Sequence, residues 1–99
     1  MKYIWHWKTK ENWHADDGRF MAINAKFQKA LEENPTDFPK MSDSLHTGDG
    51  VGFRLVEGTE EQLANLVAIW SPVEDWKLEV YFEMKAGSPY MKAWQRWNS

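Results

Sequence analysis

A glycine-rich segment in the middle of the chain, followed at once by an alternating one, most constrains the fold. Residues 45–57 read LHTGDGVGFRLVE, with three glycines in five positions. Glycine adopts positive φ at little cost, so this spacing predicts a tight turn. Beyond the turn, Val51, Phe53 and Leu55 recur at every second position, as they do along a strand. The segment therefore predicts a hairpin that places a central strand in a small sheet.

The rest of the chain alternates between strand-like and helix-like spacing of its apolar residues. The predicted elements are a strand over 3–8, a helix over 19–33, an irregular edge strand over 38–45, a strand over 51–57, a helix starting at 58–59 and stopped at 71–72, a strand over 76–84, and a short helix from 88–89 onward. Thr59 and Gln62 have the spacing of a capping box at the start of the second helix.

This order of elements predicts an α+β fold. Each strand–helix–strand half needs a right-handed crossover, and two such halves intercalate as a ferredoxin-like βαββαβ sandwich. That fold has an antiparallel sheet with strand order 4-1-3-2 and both helices on one face. We expect one ferredoxin-like domain over residues 1–84 and an aromatic helical extension over residues 85–99.

Composition excludes several classes of function. The 99 residues carry a formal net charge of −3, which argues against nucleic acid as a partner. The chain has no cysteine, so it has neither disulfides nor a thiol nucleophile. No apolar run is long enough to cross a membrane, and the first residues lack the pattern of a signal peptide. We expect a cytoplasmic protein that binds neither nucleic acid nor membrane.

The face of the sheet opposite the helices is the first candidate site. If Val51, Phe53 and Leu55 face the helices, then Arg54 points the other way. The corresponding choices for the first and last strands leave His6, Glu79 and Tyr81 beside it. One interpretation is a polar pocket that binds a small anion or uses His6 as an acid–base group. The other is a ladder of ion pairs on a wet or dimer-facing sheet.

The phase of the first strand decides between these surfaces. A slip of one residue would bury His6 and expose Trp5 and Trp7 on the open face. That face would then suit a flat ligand or a hydrophobic dimer interface. The chain has seven tryptophans, which either stabilise a small core or an interface, or line an aromatic pocket.

His46 stands beside the glycine turn and is a second candidate ligand-binding residue. Its glycines would let the backbone approach a ligand, although a tight turn needs them in any case. A metal site would require His6, His14 and His46 to converge, and no paired histidine spacing supports one. We expect no metal and no cofactor.

The C-terminal segment carries Tyr90, Trp94 and Trp97 at helical spacing. Three bare rings would form an exposed apolar patch, which usually marks an interface. We expect this stripe to cover the body of the protein or a partner.

A set of residues across positions 1–84 resembles a family of small proteins, the domain-of-unknown-function (DUF) family numbered three thousand three hundred and three. The set comprises Trp7, Phe20, His46, Gly52-Phe53, Val56-Glu57, Trp70 and the segment VEDWKLEV. The chain departs from the family at Leu45, where Trp is usual, and at Tyr81-Phe82, where Pro is usual. The resemblance implies a homodimeric α+β barrel in which two sheets pack open face to open face, and it implies no activity.

Two functions follow as hypotheses. The first is a non-catalytic module that binds a small ligand or another protein. The second is a small enzyme of the dimeric-barrel type, similar to a monooxygenase or an isomerase, with His6 or His46 as its acid–base group.

Overall fold

A computed structural model describes residues 1–10, 18–48 and 50–98. The elements are β1 (Lys2–Thr9), α1 (Arg19–Glu33), a 3-10 turn (Pro35–Asp37), β2 (Lys40–Met41), β3 (Leu45–Gly48), β4 (Val51–Glu57), α2 (Glu60–Trp70), β5 (Glu74–Val80) and α3 (Pro89–Asn98). The predicted mixed α+β class is confirmed.

The five strands form one antiparallel sheet. Its order is β2-β4-β1-β5, and β3 also pairs with β4 beyond the short β2. Strands β1 and β4 are central and pair along seven positions, from Lys2 with Glu57 to Lys8 with Val51. Every other strand is therefore positioned by these two.

Helices α1 and α2 lie on one face of the sheet and enclose the core with it. The core consists of Trp5, Trp7, Phe27, Phe38, Val56, Leu63, Leu66 and Trp70. Trp5 and Trp7 are both buried, whereas His6 between them is not. The predicted phase of the first strand is thus confirmed, with the indoles beneath the helices and His6 on the open face.

The predicted phase of β4 is wrong. Trp5 pairs with Arg54 and Trp7 pairs with Gly52. Paired residues of antiparallel strands project to the same side, so Arg54 and Gly52 face the helices, as does the buried Val56. Gly52 takes this side because the Trp7 ring occupies the space that a side chain would need.

Val51, Phe53 and Leu55 consequently lie on the open face, the opposite of the prediction. Leu55 retains 40% of its accessible surface. Apolar alternation was a misleading guide here, because a glycine and an arginine occupy two of the three inward positions of β4.

Two predicted strand boundaries also change. The last strand ends at Val80 rather than at residue 84, because its partner β1 begins at Lys2 and offers no further residues for pairing. One last backbone hydrogen bond, from the Tyr81 amide to the Lys2 carbonyl at 3.2 Å, follows the strand. The predicted edge strand over 38–45 is two short strands, β2 and β3.

The predicted capping box is present at the start of α2. The Gln62 amide donates to Thr59 Oγ1 at 3.2 Å, and the Thr59 amide donates to Gln62 Oε1 at 2.9 Å. Within the described residues, no helix combines the length and the apolar character needed to cross a membrane.

Candidate functional site

A cavity of about 290 Å³ lies between the inner face of the sheet and the helices, next to the β3–β4 hairpin. Its walls are mainly aromatic, from Trp5, Trp7, Phe20, Phe27 and Trp70, and its polar residues are Thr9, Asn24, Gln28, Ser44, His46, Arg54 and Glu74. An apolar cleft with a few converging polar groups is the usual form of a small-molecule site.

Glu74 is the acidic residue of this cavity. It is the first residue of β5, it pairs with Thr9, and only 5% of its surface is accessible. Burial raises the pKa of the Glu74 carboxyl to about 7, because the charged form loses its hydration, and the positive charge of Arg54 opposes this rise. The carboxyl therefore changes its charge near neutral pH.

Arg54 provides the opposite charge from the central strand β4. Its Nε donates to the Ser42 carbonyl at 3.0 Å, which fixes the side chain beside the loop before β3. Burial lowers the pKa of Arg54, and the negative charges of Asp43 and Glu74 counteract it. Arginine remains protonated at neutral pH in proteins.

Arg54 and Glu74 line the same cavity without forming a direct ion pair within the described part of the chain. Their attraction acts across the intervening space. A ligand with both an acceptor and a donor group could occupy this space and bind both side chains.

The hairpin forms one rim of the cavity and is tied to the core through Trp7. The indole Nε1 donates to Ser44 Oγ at 2.9 Å, and the His46 ring packs edge-on against the indole at a centroid distance of 4.9 Å. His46 is thus positioned at the entrance, as part of the cavity lining.

Two indole nitrogens in the walls have unused hydrogen-bonding capacity. Within residues 1–10, 18–48 and 50–98, Trp5 Nε1 and Trp70 Nε1 are buried and have no acceptor. Buried indole donors normally find a partner, and an unpaired one calls for a water or a bound group.

The structure divides the predicted site residues between two faces. His6 and Glu79 meet on the open face, where His6 Nε2 lies 3.0 Å from Glu79 Oε1, as predicted for this pair. The hydrogen bond with His6, followed by the charge of Lys77, lowers the pKa of Glu79. Both side chains are well exposed, so this is a surface pair on the sheet.

The other three predicted residues do not join them. Arg54 was predicted on the open face and instead faces the helices, because it pairs with the inward-facing Trp5 of β1. His46 lines the helix-side cavity with it. Tyr81 follows the end of β5, where its amide donates to the Lys2 carbonyl, and it lines a different cleft from Arg54 and His46.

The predicted aromatic stripe of the C-terminal segment is exposed in the single chain. Trp94 retains 50% and Trp97 retains 73% of its accessible surface, and no described residue of α3 is buried. The Phe82 ring stacks on Tyr90 at 5.7 Å.

Glu74 was missed because the last strand was predicted to begin at residue 76. The signal was present in the sequence. Extending the alternation of Trp76 and Leu78 back by two residues places Glu74 on the same, inward side of the strand.

Metal ligands do not converge in the part of the chain that the structure covers. There, no group of three or more His, Cys, Asp or Glu side chains could hold an ion. His14, which the metal hypothesis required, lies outside the described residues.

Comparison with known proteins does not assign the chain to a family. No protein-family model, curated protein or solved structure matches the chain.

Proposed function

We propose that this protein is a cytoplasmic, non-catalytic module that binds a small planar molecule in the helix-side cavity. The observation that carries the proposal is the buried Glu74 carboxyl, which faces Arg54 across an aromatic-walled cavity of about 290 Å³. A charged group held away from water without a direct partner is costly for a fold, so its presence favours a functional reason.

The chemistry of the walls defines the class of ligand. Five aromatic residues favour a flat apolar body. Arg54 favours a carboxylate or carbonyl group, and the two unpaired indole donors add to that preference. A cavity of this size is at the lower limit for small-molecule sites, so the ligand is a small aromatic acid or amide.

Three probes of matched shape test this proposal: benzoate, benzamide and benzamidine, titrated at pH 6 and pH 8 and followed by tryptophan fluorescence. Benzoate should bind at pH 6, and its affinity should fall by roughly tenfold at pH 8, because ionised Glu74 then repels the carboxylate. Benzamidine should show the opposite trend. In Glu74→Gln the affinity for benzoate should no longer depend on pH.

Glu79→Gln is the matched control, because it removes an acidic group from the open face and leaves the cavity unchanged. Equal pH dependence in the wild type and in Glu74→Gln would contradict the proposal. The proposal would also be contradicted if none of the three probes bound saturably. Native mass spectrometry of protein purified without refolding would in addition detect a retained ligand.

An acid–base enzyme is the second candidate. The pKa of Glu74, about 7, suits a group that accepts and returns a proton at neutral pH, and His46 lines the same cavity. This pair would act in an isomerase-like reaction. A retained ligand recovered chemically unchanged after incubation favours the binding module, and its conversion favours the enzyme.

We further propose a ferredoxin-like, homodimeric barrel of the DUF family named above. Read from the other edge, the strand order is β5-β1-β4-β2. With β1, β2, β4 and β5 taken as the predicted strands 1, 2, 3 and 4, this order supports the ferredoxin-like arrangement. The open face carries Ile4, Phe53 and Leu55, and this apolar strip supports packing against a second sheet. Phe53→Lys should convert a sedimenting dimer to a monomer, and a wild-type monomer at high micromolar concentration would contradict the barrel.

A further inference from the structure

Helix α1 contributes two carboxamides to the cavity, those of Asn24 and Gln28. The two residues are one helical turn apart, so both project from the same side of the helix. Asn24 lies one turn after Phe20 and one turn before Phe27, whose rings pack against or within the core. The amphipathic pattern of the helix favours an apolar residue at such a position. Breaks of this kind occur most often where a residue has a functional role.

The protein itself does not use either carboxamide. Asn24 is half-buried and Gln28 is exposed, and within the described residues neither side chain has a hydrogen-bond partner. A carboxamide offers two N–H donors and one carbonyl acceptor. Withdrawing these groups from water without a partner costs free energy, which a bound polar group would offset. The pair is therefore available to a ligand.

The same wall holds a buried donor that lacks an acceptor. Trp70 is the last residue of α2, and its ring packs on Phe20 and Phe27 at centroid distances of 5.6 and 5.3 Å. It therefore lies beside the part of α1 that carries Asn24. In the described part of the chain, the buried Trp70 Nε1 has no hydrogen-bond partner. The helix side of the cavity thus offers several polar groups for which the fold supplies no partner.

The polar groups of the cavity come from two opposite walls. Arg54 and Glu74 reach it from strands β4 and β5, whereas Asn24 and Gln28 reach it from the helix layer. The remaining walls are mainly aromatic. An apolar cavity of about 150 Å³ accommodates benzene. A cavity of about 290 Å³ therefore leaves room for one ring with a polar substituent at each end.

We propose that the ligand is a hydroxylated aromatic acid, and that Asn24 and Gln28 select it by binding its ring hydroxyl. This inference rests on the proposed function, in which Arg54 binds the acid group of the ligand. A hydroxyl donates one hydrogen bond and accepts others, so it can donate to a carboxamide oxygen and accept from a neighbouring N–H group. A methyl group of similar size can do neither and would leave the carboxamides unpaired.

Two pairs of probes that differ only in this group test the inference. They are meta-hydroxybenzoate with meta-methylbenzoate and para-hydroxybenzoate with para-methylbenzoate, titrated by calorimetry at pH 6, below the pKa of Glu74, which is about 7. At least one hydroxyl compound should bind roughly tenfold more tightly than its methyl partner. Asn24→Leu should remove most of this preference, and Asn24→Leu combined with Gln28→Leu should remove all of it.

The affinity of the methyl compound is the reference in every variant, so a general loss of affinity does not count as a loss of preference. Lys26→Leu is the matched control, because Lys26 is exposed on α1 and does not line the cavity. It should keep the full preference. Asn24→Ala repeats the test with a smaller residue of high helix propensity, in case leucine disturbs the packing of α1.

The outcomes separate this inference from the proposed function. A hydroxyl preference that the Asn24 variants lose and Lys26→Leu keeps supports the inference. Equal binding of the hydroxyl and methyl compounds would overturn it and leave the proposed function standing, because the acids would still bind. A preference that survives in the double variant would assign the hydroxyl to another group and overturn the role of the carboxamides. Absence of binding by all four compounds would overturn both.

Discussion

Replacing Gly52 by alanine should destabilise the protein by about 3 kcal/mol or more, because the added methyl group has no space. A Cβ at this position would collide with the Leu45 carbonyl oxygen and with Cζ2 of Trp7, and would lie 2.8 Å from Cε2 of the same ring. The Trp7 indole packs in the core and donates a hydrogen bond to Ser44, so moving it away from the new methyl group would break these contacts. Urea unfolding should show a midpoint lowered by more than about 1 M.

Gly48→Ala is the matched control. Gly48 also lies in the β3–β4 hairpin, its φ lies outside the left-handed region, and a Cβ there would meet nothing within 4 Å. Its effect should stay within about 0.5 kcal/mol. Equal destabilisation by the two substitutions would mean that the hairpin needs glycine for flexibility and that the close packing of Trp7 on Gly52 is not the cause.

The helices were predictable because their signals are local. Apolar spacing over residues 19–33 and the Thr59–Gln62 capping box both depend on neighbours within one or two turns, and both appear in the structure as predicted. The phase of β1 was predicted correctly, although a slip of one residue stayed open in the sequence, and the burial of Trp5 and Trp7 decides it.

The phase of β4 was not predictable from its own residues. Counting apolar side chains favours Val51, Phe53 and Leu55 as the buried set, yet the pairing with β1 selects the other set. The deciding interaction is non-local, because the Trp7 ring needs an opposing position without a side chain. That single error moved Arg54 to the wrong face and hid the cavity that it shares with His46.

The candidate site escaped sequence reasoning for two reasons: the wrong phase of β4 misplaced Arg54, and the late start predicted for the last strand left out Glu74. Its charged residues, Arg54 and Glu74, lie on different strands, and each one takes an inward position on a side of the sheet that is otherwise mainly apolar. Real sequences break such patterns most often at functional or strained positions. An inward acid on β5 and an inward arginine on β4 are two such breaks in this sheet.

Replacing Glu74 by glutamine should stabilise the protein at pH 8 by up to about 3 kcal/mol. The carboxyl has a pKa of about 7 when folded and an ordinary value of 4.5 when unfolded, so between these values the folded state binds more protons. Raising the pH through this window therefore lowers the free energy of unfolding, and the full penalty is present above pH 7. Glutamine carries no charge, so urea unfolding at pH 8 should show the gain, and at pH 4 the two proteins should be nearly equal.

Glu83→Gln separates this effect from a general loss of negative charge. Hydrogen bonds from Lys2 and Lys85 lower the pKa of Glu83 to about 2, so its carboxylate favours the folded state above pH 4.5, and this contribution is lost as the pH falls toward 2. Its replacement should not stabilise the protein at pH 8. A gain from both substitutions would attribute the stabilisation to net charge. A gain from Glu74→Gln alone, accompanied by loss of the pH dependence of benzoate binding, would show that the buried acid costs stability in order to serve the cavity.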